Sequence, residues 1–481
     1  MMSLSGIMTY LEPIWAELFL AIAAMALLVY GVLQRRNATS VLSLYSIVAC
    51  IGAFILLLQS APSGDLILKG MFIHDSFSLF SKILILAGGI AVLALSIKPL
   101  YQDNMARFEY PVLVLLSIIG MMIMVSAHDM LSLYMGLELQ SLCFYVLAAM
   151  RRDHLRSAES GMKYFILGAI SSGLLLFGIS LLYGYTGSTN FAQIAMVLET
   201  NLSIGHVIGI VFIICALAFK ISAVPFHMWT PDVYQGAPIA VTALFAIVPK
   251  VAAIALLTRL VILPFGAMDE QLMQILWVLS AASMIVGAFA GLKQQSIKRL
   301  LAYSSIGNVG YMLMGLVAGT QTSIAAMMLY MAIYMSILCG IFALIHYMRR
   351  NHVACEDLND LSGLSRTYPW AAYGFLILLF SLAGIPPLAG FIGKLAIFNA
   401  AVEAQLYGLA ILGVVTSVVA AYYYLRIIKV MFFDEAAEPF DKDIATSVRI
   451  VAGLSVLISV GFILYPSFLF EITQFATMSL F

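Results

Sequence analysis

The chain is 481 residues long, 63% hydrophobic and 10% charged, and its 24 basic residues cancel its 24 acidic ones. That balance excludes a soluble globular domain and leaves no basic footprint for nucleic acid. It describes a polytopic membrane protein. The five cysteines (Cys50, Cys143, Cys215, Cys339, Cys355) have no CxxC spacing, and four lie in apolar runs. They read as small buried hydrophobes rather than as metal ligands or a disulfide framework.

An apolar run of about 20 residues crosses the roughly 30 Å hydrocarbon core as a helix. Fourteen such runs are expected, near 14–33, 40–59, 77–98, 110–126, 130–149, 161–184, 205–224, 239–263, 271–292, 300–319, 322–347, 370–402 (broken), 406–431 and 447–468. The first is too long for a signal-peptide core and is followed, not preceded, by Arg35 and Arg36, so it reads as an uncleaved span. The connections are short and leave no room for a soluble domain. The acidic stretch 434–443 reads as a solvated loop.

Charge alternates along these connections. The odd-numbered loops carry Arg35, Arg36, Lys98, Arg107, Arg151, Arg152, Arg156, Lys293, Lys298, Arg299, Arg349, Arg350, Arg366, Arg426, Lys429, Lys442 and Arg449; the even-numbered loops carry almost none beyond Lys69. The positive-inside rule makes the odd loops cytoplasmic, and fourteen spans then place both termini on the periplasmic face.

Few ionisable residues remain within the spans. Lys82 and Arg259 lie near span ends, where long stems are expected to snorkel. Lys163 sits just inside the sixth span. Lys220, Lys250 and Lys394 lie deeper, and Glu138 is the one mid-span carboxylate. A charge at the bilayer centre costs roughly 2.5–3.5 kcal/mol even on the lenient insertion scale, so such residues point to function by default.

Two spans are interrupted. The seventh breaks at ISAVPF, around Pro225, and the twelfth at SLAGIPPLAGFIGK, where Gly384, Pro386, Pro387 and Gly390 disturb the helix. If spans four to eight (about 110–263) and nine to thirteen (about 271–431) are two units, each broken helix is the fourth of five. Units with an odd number of spans are inverted in the membrane, and paired interrupted helices in inverted halves mark a transport path. The expected architecture is therefore all-α: a single transmembrane domain over residues 1–481, with about 14 helices and two inverted five-helix repeats.

The segments YMGLELQSLCFYVL (134–147), KYFILGAISSGLLLFGISLLYGYTG (163–187), AFKISAVPFHMWTPDVYQGAP (218–238), KRLLAYSSIGNVGYML (298–313) and SLAGIPPLAGFIGK (381–394) resemble the antiporter-like subunits of respiratory complex I. These are related to subunits of Mrp-type cation/proton antiporters. Three features narrow the resemblance: no long extension after the fourteenth span, Lys394 where a sister subunit has glutamate, and an eighth span without the histidines found in its sisters. The resemblance implies that Glu138, Lys220, Lys250 and Lys394 form a proton relay, with Glu138 paired to Lys220. It also implies a bacterial inner-membrane location and partners among the other membrane and peripheral subunits of complex I, including neighbouring antiporter-like subunits. NADH, FMN, iron–sulfur clusters and quinone would belong to the assembled complex. No nucleotide loop, haem pair or iron–sulfur spacing assigns a cofactor to this chain itself.

The chemistry suits such a relay. Desolvation brings buried carboxylates and amines towards neutral pH, where protons exchange readily. A charge pair at about 4 Å adds roughly 4 kcal/mol at an effective dielectric near 20, so opening or closing the pair loads or unloads a proton. Each residue also has a plainer reading. Glu138 could be a structural carboxylate bonded to hydroxyls, and Lys220 could snorkel. Lys250 is too central for that, and Pro249 loosens its helix. The depth of Lys394 depends on where its broken span resumes. His227 is a shuttle candidate or an interfacial hydrogen-bonding histidine; Lys163 is a relay member or a positive-inside charge. Tyr303, Ser304, Ser305 and Asn308 hold waters or join helices. Besides a proton-translocating complex I subunit, the residues are compatible with a cation/proton antiporter subunit or a structural membrane subunit.

Overall fold

The computed structural model describes residues 11–34, 38–441 and 445–481, without the Asp269 side chain. Arg35, Arg36 and Lys442, and part of the 434–443 loop, lie outside the described residues. Among those described, thirteen helices are long and apolar enough to cross a membrane. Pro369–Ala383 and Ala389–Glu403 together supply one more span, the interrupted one, twelfth in chain order. The apolar runs become helices because a chain in hydrocarbon must satisfy its backbone polar groups internally.

Boundaries shift where polar residues extend a helix or a turn ends it. The sixth span, Leu155–Thr186, has 32 residues, or about 48 Å at about 1.5 Å per residue. Its first turns carry Arg156 and Glu159 beyond the apolar run expected at 161–184. The seventh span, Ile204–Ile221, stops before the expected residue 224 because Ser222 turns left-handed, at φ 66°. A separate short helix, Trp229–Gly236, resumes it. After the fourteenth span, Thr446–Leu464, a distinct helix runs from Ser467 to Thr477.

Each face has its own lacing. On one, the hairpin Leu66–Ile67/Phe72–Ile73 bridges through Phe72 to Ala127, and Asp129 bridges to Asn190. On the other, the hairpin Arg349–Arg350/Val353–Ala354 leads into a bridge between Asp357 and Ser296. The first set joins even-numbered loops and the second odd-numbered ones, as alternating spans require.

The core lies along the eighth and eleventh spans. Every residue from Ile239 to Val261 is buried. The eleventh span, Gln321–Tyr347, packs against the third, eighth, tenth, both parts of the twelfth, and the fourteenth. Lys250 thus stands on the most enclosed helix of the bundle.

The two expected snorkelling residues do not snorkel. Lys82 is fully buried and its Nζ lies 2.6 Å from the Glu17 carboxylate. Arg259 is 1% exposed and donates two bonds, of 2.8 and 2.9 Å, to Asp75. Their acids sit at helix starts far away in sequence. Asp75 also caps the third span, accepting from the Ser78 N–H at 2.8 Å. Burial opposes ionisation of Asp75, but the Arg259 guanidinium and the Ser78 bonds outweigh it and hold its carboxyl at about 2.

Candidate functional site

The two breaks are built alike. In the first, the Ser222 N–H bonds to Phe219 O and the Ala223 N–H reaches back to Ala218 O at 2.8 Å. In the second, Gly384 takes the left-handed position at φ 85°, and the Ile385 N–H reaches back to Phe380 O at 3.0 Å. Each left-handed residue is followed three positions later by a proline, Pro225 or Pro387, with a cis peptide bond before it. These are helix C-terminal motifs set within the membrane-length stretch. Glycine serves twice in the second break, although Ser222 takes the left-handed position in the first. Gly384 uses it for its φ, and a Cβ on Gly390 would fall 1.8 Å from Ser381 O.

Carbonyls beside the breaks take side-chain donors of different kinds. Phe219 O accepts from the Trp229 indole at 2.9 Å, whereas Ala383 O accepts from Lys394 Nζ at 3.1 Å. Lys394 also donates to Ser417 Oγ at 3.1 Å and lies 5.1 Å over the Tyr311 ring.

Lys220 donates to Ser141 Oγ at 2.7 Å. Ser141 is one turn along the fifth span from Glu138, whose carboxylate accepts from Ser172. Among the described residues Glu138 and Lys220 form no direct ion pair, contrary to the expected pairing; each is held by a separate serine. Glu138 is half-buried and sits near the exposed stripe of Leu131, Met135, Leu142 and Val146 on the fifth span. Lys250 donates to Ser305, which also accepts from the Tyr334 hydroxyl at 2.7 Å.

Lys220, Lys250 and Lys394 are 8%, 3% and 5% exposed. Two other buried lysines give the contrast: Lys82 and Lys298 each have a carboxylate at 2.6 Å, from Glu17 and Glu356. Lys298, expected in a loop, is 2% exposed and also donates to Ala237 O, just before the Lys250 helix. Among the described residues, the hydrogen-bond and ring partners of Lys220, Lys250 and Lys394 are neutral hydroxyls, a carbonyl and aromatic faces.

The surroundings of the lysines differ. Between Lys220 and Lys250 stand Tyr145, Tyr164, Trp229 and Tyr234, in ring-to-ring contact from 4.6 to 6.4 Å. Lys220 and Lys250 lie 5.9 and 5.8 Å over the end rings. Beyond Lys250, hydroxyls and amides predominate. Tyr330 donates to Asn308 at 2.6 Å, Asn308 bonds to Ser304, and Ser304 lies 2.5 Å from the Tyr424 hydroxyl. Ser304, Ser305 and Asn308 are therefore members of this network, while Tyr303 has no side-chain bond there. Tyr330, Tyr334 and Tyr424 were not legible in the sequence, because a buried tyrosine is by default a packing residue.

The remaining candidates lie elsewhere. Lys163, with 43% side-chain exposure, binds Glu159 at 2.8 Å and Asp232 at 2.9 Å. Asp232 also binds Arg299 at 2.8 Å, which links the sixth and tenth spans. His227 is half-buried beside the break, and its Nδ1 has no hydrogen-bond partner among the described residues. On the odd-loop face a cavity of about 630 Å³ is lined by Gly236–Ile239, Lys298 and Glu356, among others. Among the described residues, no group of three His, Cys, Asp or Glu side chains is placed to hold a metal ion.

A fourteen-span bundle with two matched helix breaks and buried lysines defines the antiporter-like class of membrane subunits. Residues 127–420 match the family model for the NADH:quinone oxidoreductase/Mrp antiporter transmembrane region. NADH-quinone oxidoreductase subunit N of Parvibaculum lavamentivorans is 48% identical over 474 residues, covering 97% of each chain. A chain of respiratory complex I from Thermus thermophilus superposes with a TM-score of 0.81 at 31% identity, over 95% of this chain and 98% of that one. A chain of the Mrp complex from Dietzia sp. DQ12-45-1b superposes with a TM-score of 0.84, but at 22% identity that likeness concerns the fold alone; 98% of this chain and 97% of that one are covered. The chain belongs to the subunit N family of NADH-quinone oxidoreductases.

Proposed function

We propose that this chain is a proton-translocating membrane subunit of an NADH:quinone oxidoreductase. Protons move through Lys220, Lys250 and Lys394, with Glu138 modulating the first lysine. Electron transfer from NADH to quinone, with its flavin and iron–sulfur carriers, belongs to partner subunits. The observation that carries this reading is the contrast among the buried lysines. Lys82 and Lys298 are locked to carboxylates, while the three central lysines have neutral partners. An amine bonded only to hydroxyls or a carbonyl can give up its proton without stranding a buried carboxylate.

The path has a direction in this reading. Protons enter at the odd-loop face, which is cytoplasmic by its basic residues, through the cavity beside Lys298 and Glu356. They reach Lys250 and leave past Lys394 towards the face that carries both termini. Spans four to eight and nine to thirteen act as inverted repeats, and the matched breaks support that pairing. Glu138 faces a neighbouring membrane subunit, because a half-buried carboxylate at mid-membrane needs a partner to cover it. His227 and Lys163 are secondary: the first can relay at the break, and the second holds Asp232.

The experiment uses the intact complex reconstituted in vesicles and energised with NADH and quinone. Lys394→Ala should assemble yet lower the number of protons moved per NADH oxidised. Copurification with cation/proton antiporter subunits and no redox subunits would instead support the Mrp reading. For orientation, cysteines placed beside Arg151 and Arg349 should be labelled from the cytoplasmic side alone.

A further inference from the structure

A second feature lies apart from the lysine line, on the outside of the bundle. Between the end of the eleventh span and the starts of the twelfth and fourteenth runs a groove of about 550 Å³, within the ~300–1,000 Å³ usual for small-molecule sites. Trp370 and Arg449 stand at its mouth, in the first turns of their helices. Tyr373 follows, and Ile377 and Val456 line it furthest along their helices from that end. Gly453 supplies part of the floor, and a Cβ there would meet nothing within 4 Å.

Three properties select an occupant. From Arg449 to Val456 is seven residues, or about 10 Å of helix. The groove therefore reaches from the interface into one leaflet and no further, too short for a spanning partner helix but matched to an acyl chain. Trp370 and Tyr373, 41% and 56% exposed, are the residue types that sit at headgroup level. Arg449 is exposed, lines the groove, and among the described residues has no ion pair that would hold it away from a headgroup phosphate. We infer that the groove is a binding site for an anionic phospholipid, its phosphate on Arg449 and an acyl chain lying along Ile377, Gly453 and Val456.

The test uses the assembled complex in vesicles doped with photoactivatable phosphatidylglycerol or, separately, photoactivatable phosphatidylcholine. The labelled segments are then mapped. Wild-type complex should label 370–377 and 449–456 about fivefold more with the anionic lipid, the preference that one basic side chain confers at a membrane surface. Arg449→Gln should erase that preference and Arg449→Lys retain it, while Gly453→Leu, which fills the floor, should lower labelling by both lipids. Equal labelling by the two lipids in wild type, an unchanged preference in Arg449→Gln, or a partner subunit crosslinked to a cysteine at position 453 would each overturn the assignment.

Discussion

The two helix breaks share a backbone and differ in what they hold. Measured from the left-handed residue, Ser222 or Gly384, the proline comes three positions later in both. Lys220 stands two residues before the first break's reference, where the second has Leu382; Lys394 stands ten after the second's, where the first has Asp232. In the first break an indole adds a second donor to Phe219 O and the lysine turns to a serine near Glu138. In the second the lysine itself donates to Ala383 O. One backbone device thus presents a lysine in two ways: before the break to a serine one turn from a carboxylate, and after the break to a carbonyl and a serine hydroxyl. The carboxylate at the matched position after the first break, Asp232, is committed to Lys163 and Arg299 and ties the sixth span to the tenth at the surface.

That comparison can be broken from several sides. The largest effect is expected from Gly390→Ala. Its Cβ would overlap Ser381 O, so the second break cannot keep its geometry, and native gels should find little assembled complex. Alanine at Gly184, where a Cβ meets nothing within 4 Å, should be tolerated. Next is Asp75→Asn, which strands the buried Arg259 and should cost about 3–5 kcal/mol, read as thermal stability of the complex. The same pair sets a pH dependence. Because the folded carboxyl is held at about 2, below its ordinary 3.8, its contribution is complete above about pH 4 and is lost as pH falls towards 2. Asp75→Asn should abolish that acid-side loss. Trp229→Phe removes the donor to Phe219 O and should cost about 1–3 kcal/mol, read as a lower melting temperature of the complex. The smallest effect on stability, about 1 kcal/mol, is expected from Tyr330→Phe, which removes the bond to Asn308. If hydroxyls carry protons beyond Lys250, it should nevertheless slow proton transfer several-fold, while Tyr164→Phe, in the aromatic stretch, should slow it less.

The spans were legible because fourteen apolar runs have no alternative to helix in a bilayer. The breaks were legible because proline and glycine announce them. Burial of charge was less so. Lys82 and Arg259 read as snorkelling residues because their acids, Glu17 and Asp75, come from other helices, and pairing across helices leaves no local pattern. Lys298 read as a loop charge for the same reason, since Glu356 lies in a separate connection. The lysines of the candidate relay stood out as charges in apolar runs, but their serines and tyrosines did not. Ser141, Ser417, Tyr330 and Tyr334 are ordinary packing types until the helices bring them together. The resemblance suggested a Glu138–Lys220 pair; the geometry places a serine on each instead.

The central claim is that Lys250 holds and releases a proton. Lys250→Arg and Lys250→Ala complexes, checked for assembly and reconstituted in vesicles, should be measured for protons moved per NADH oxidised. Arginine keeps the charge but cannot release its proton, and alanine has none to release, so both should assemble and both should fall well below wild type. A merely structural lysine predicts another order, with arginine tolerated and alanine misassembled. Assembled Lys250→Arg complexes that move protons at the wild-type ratio would contradict the account.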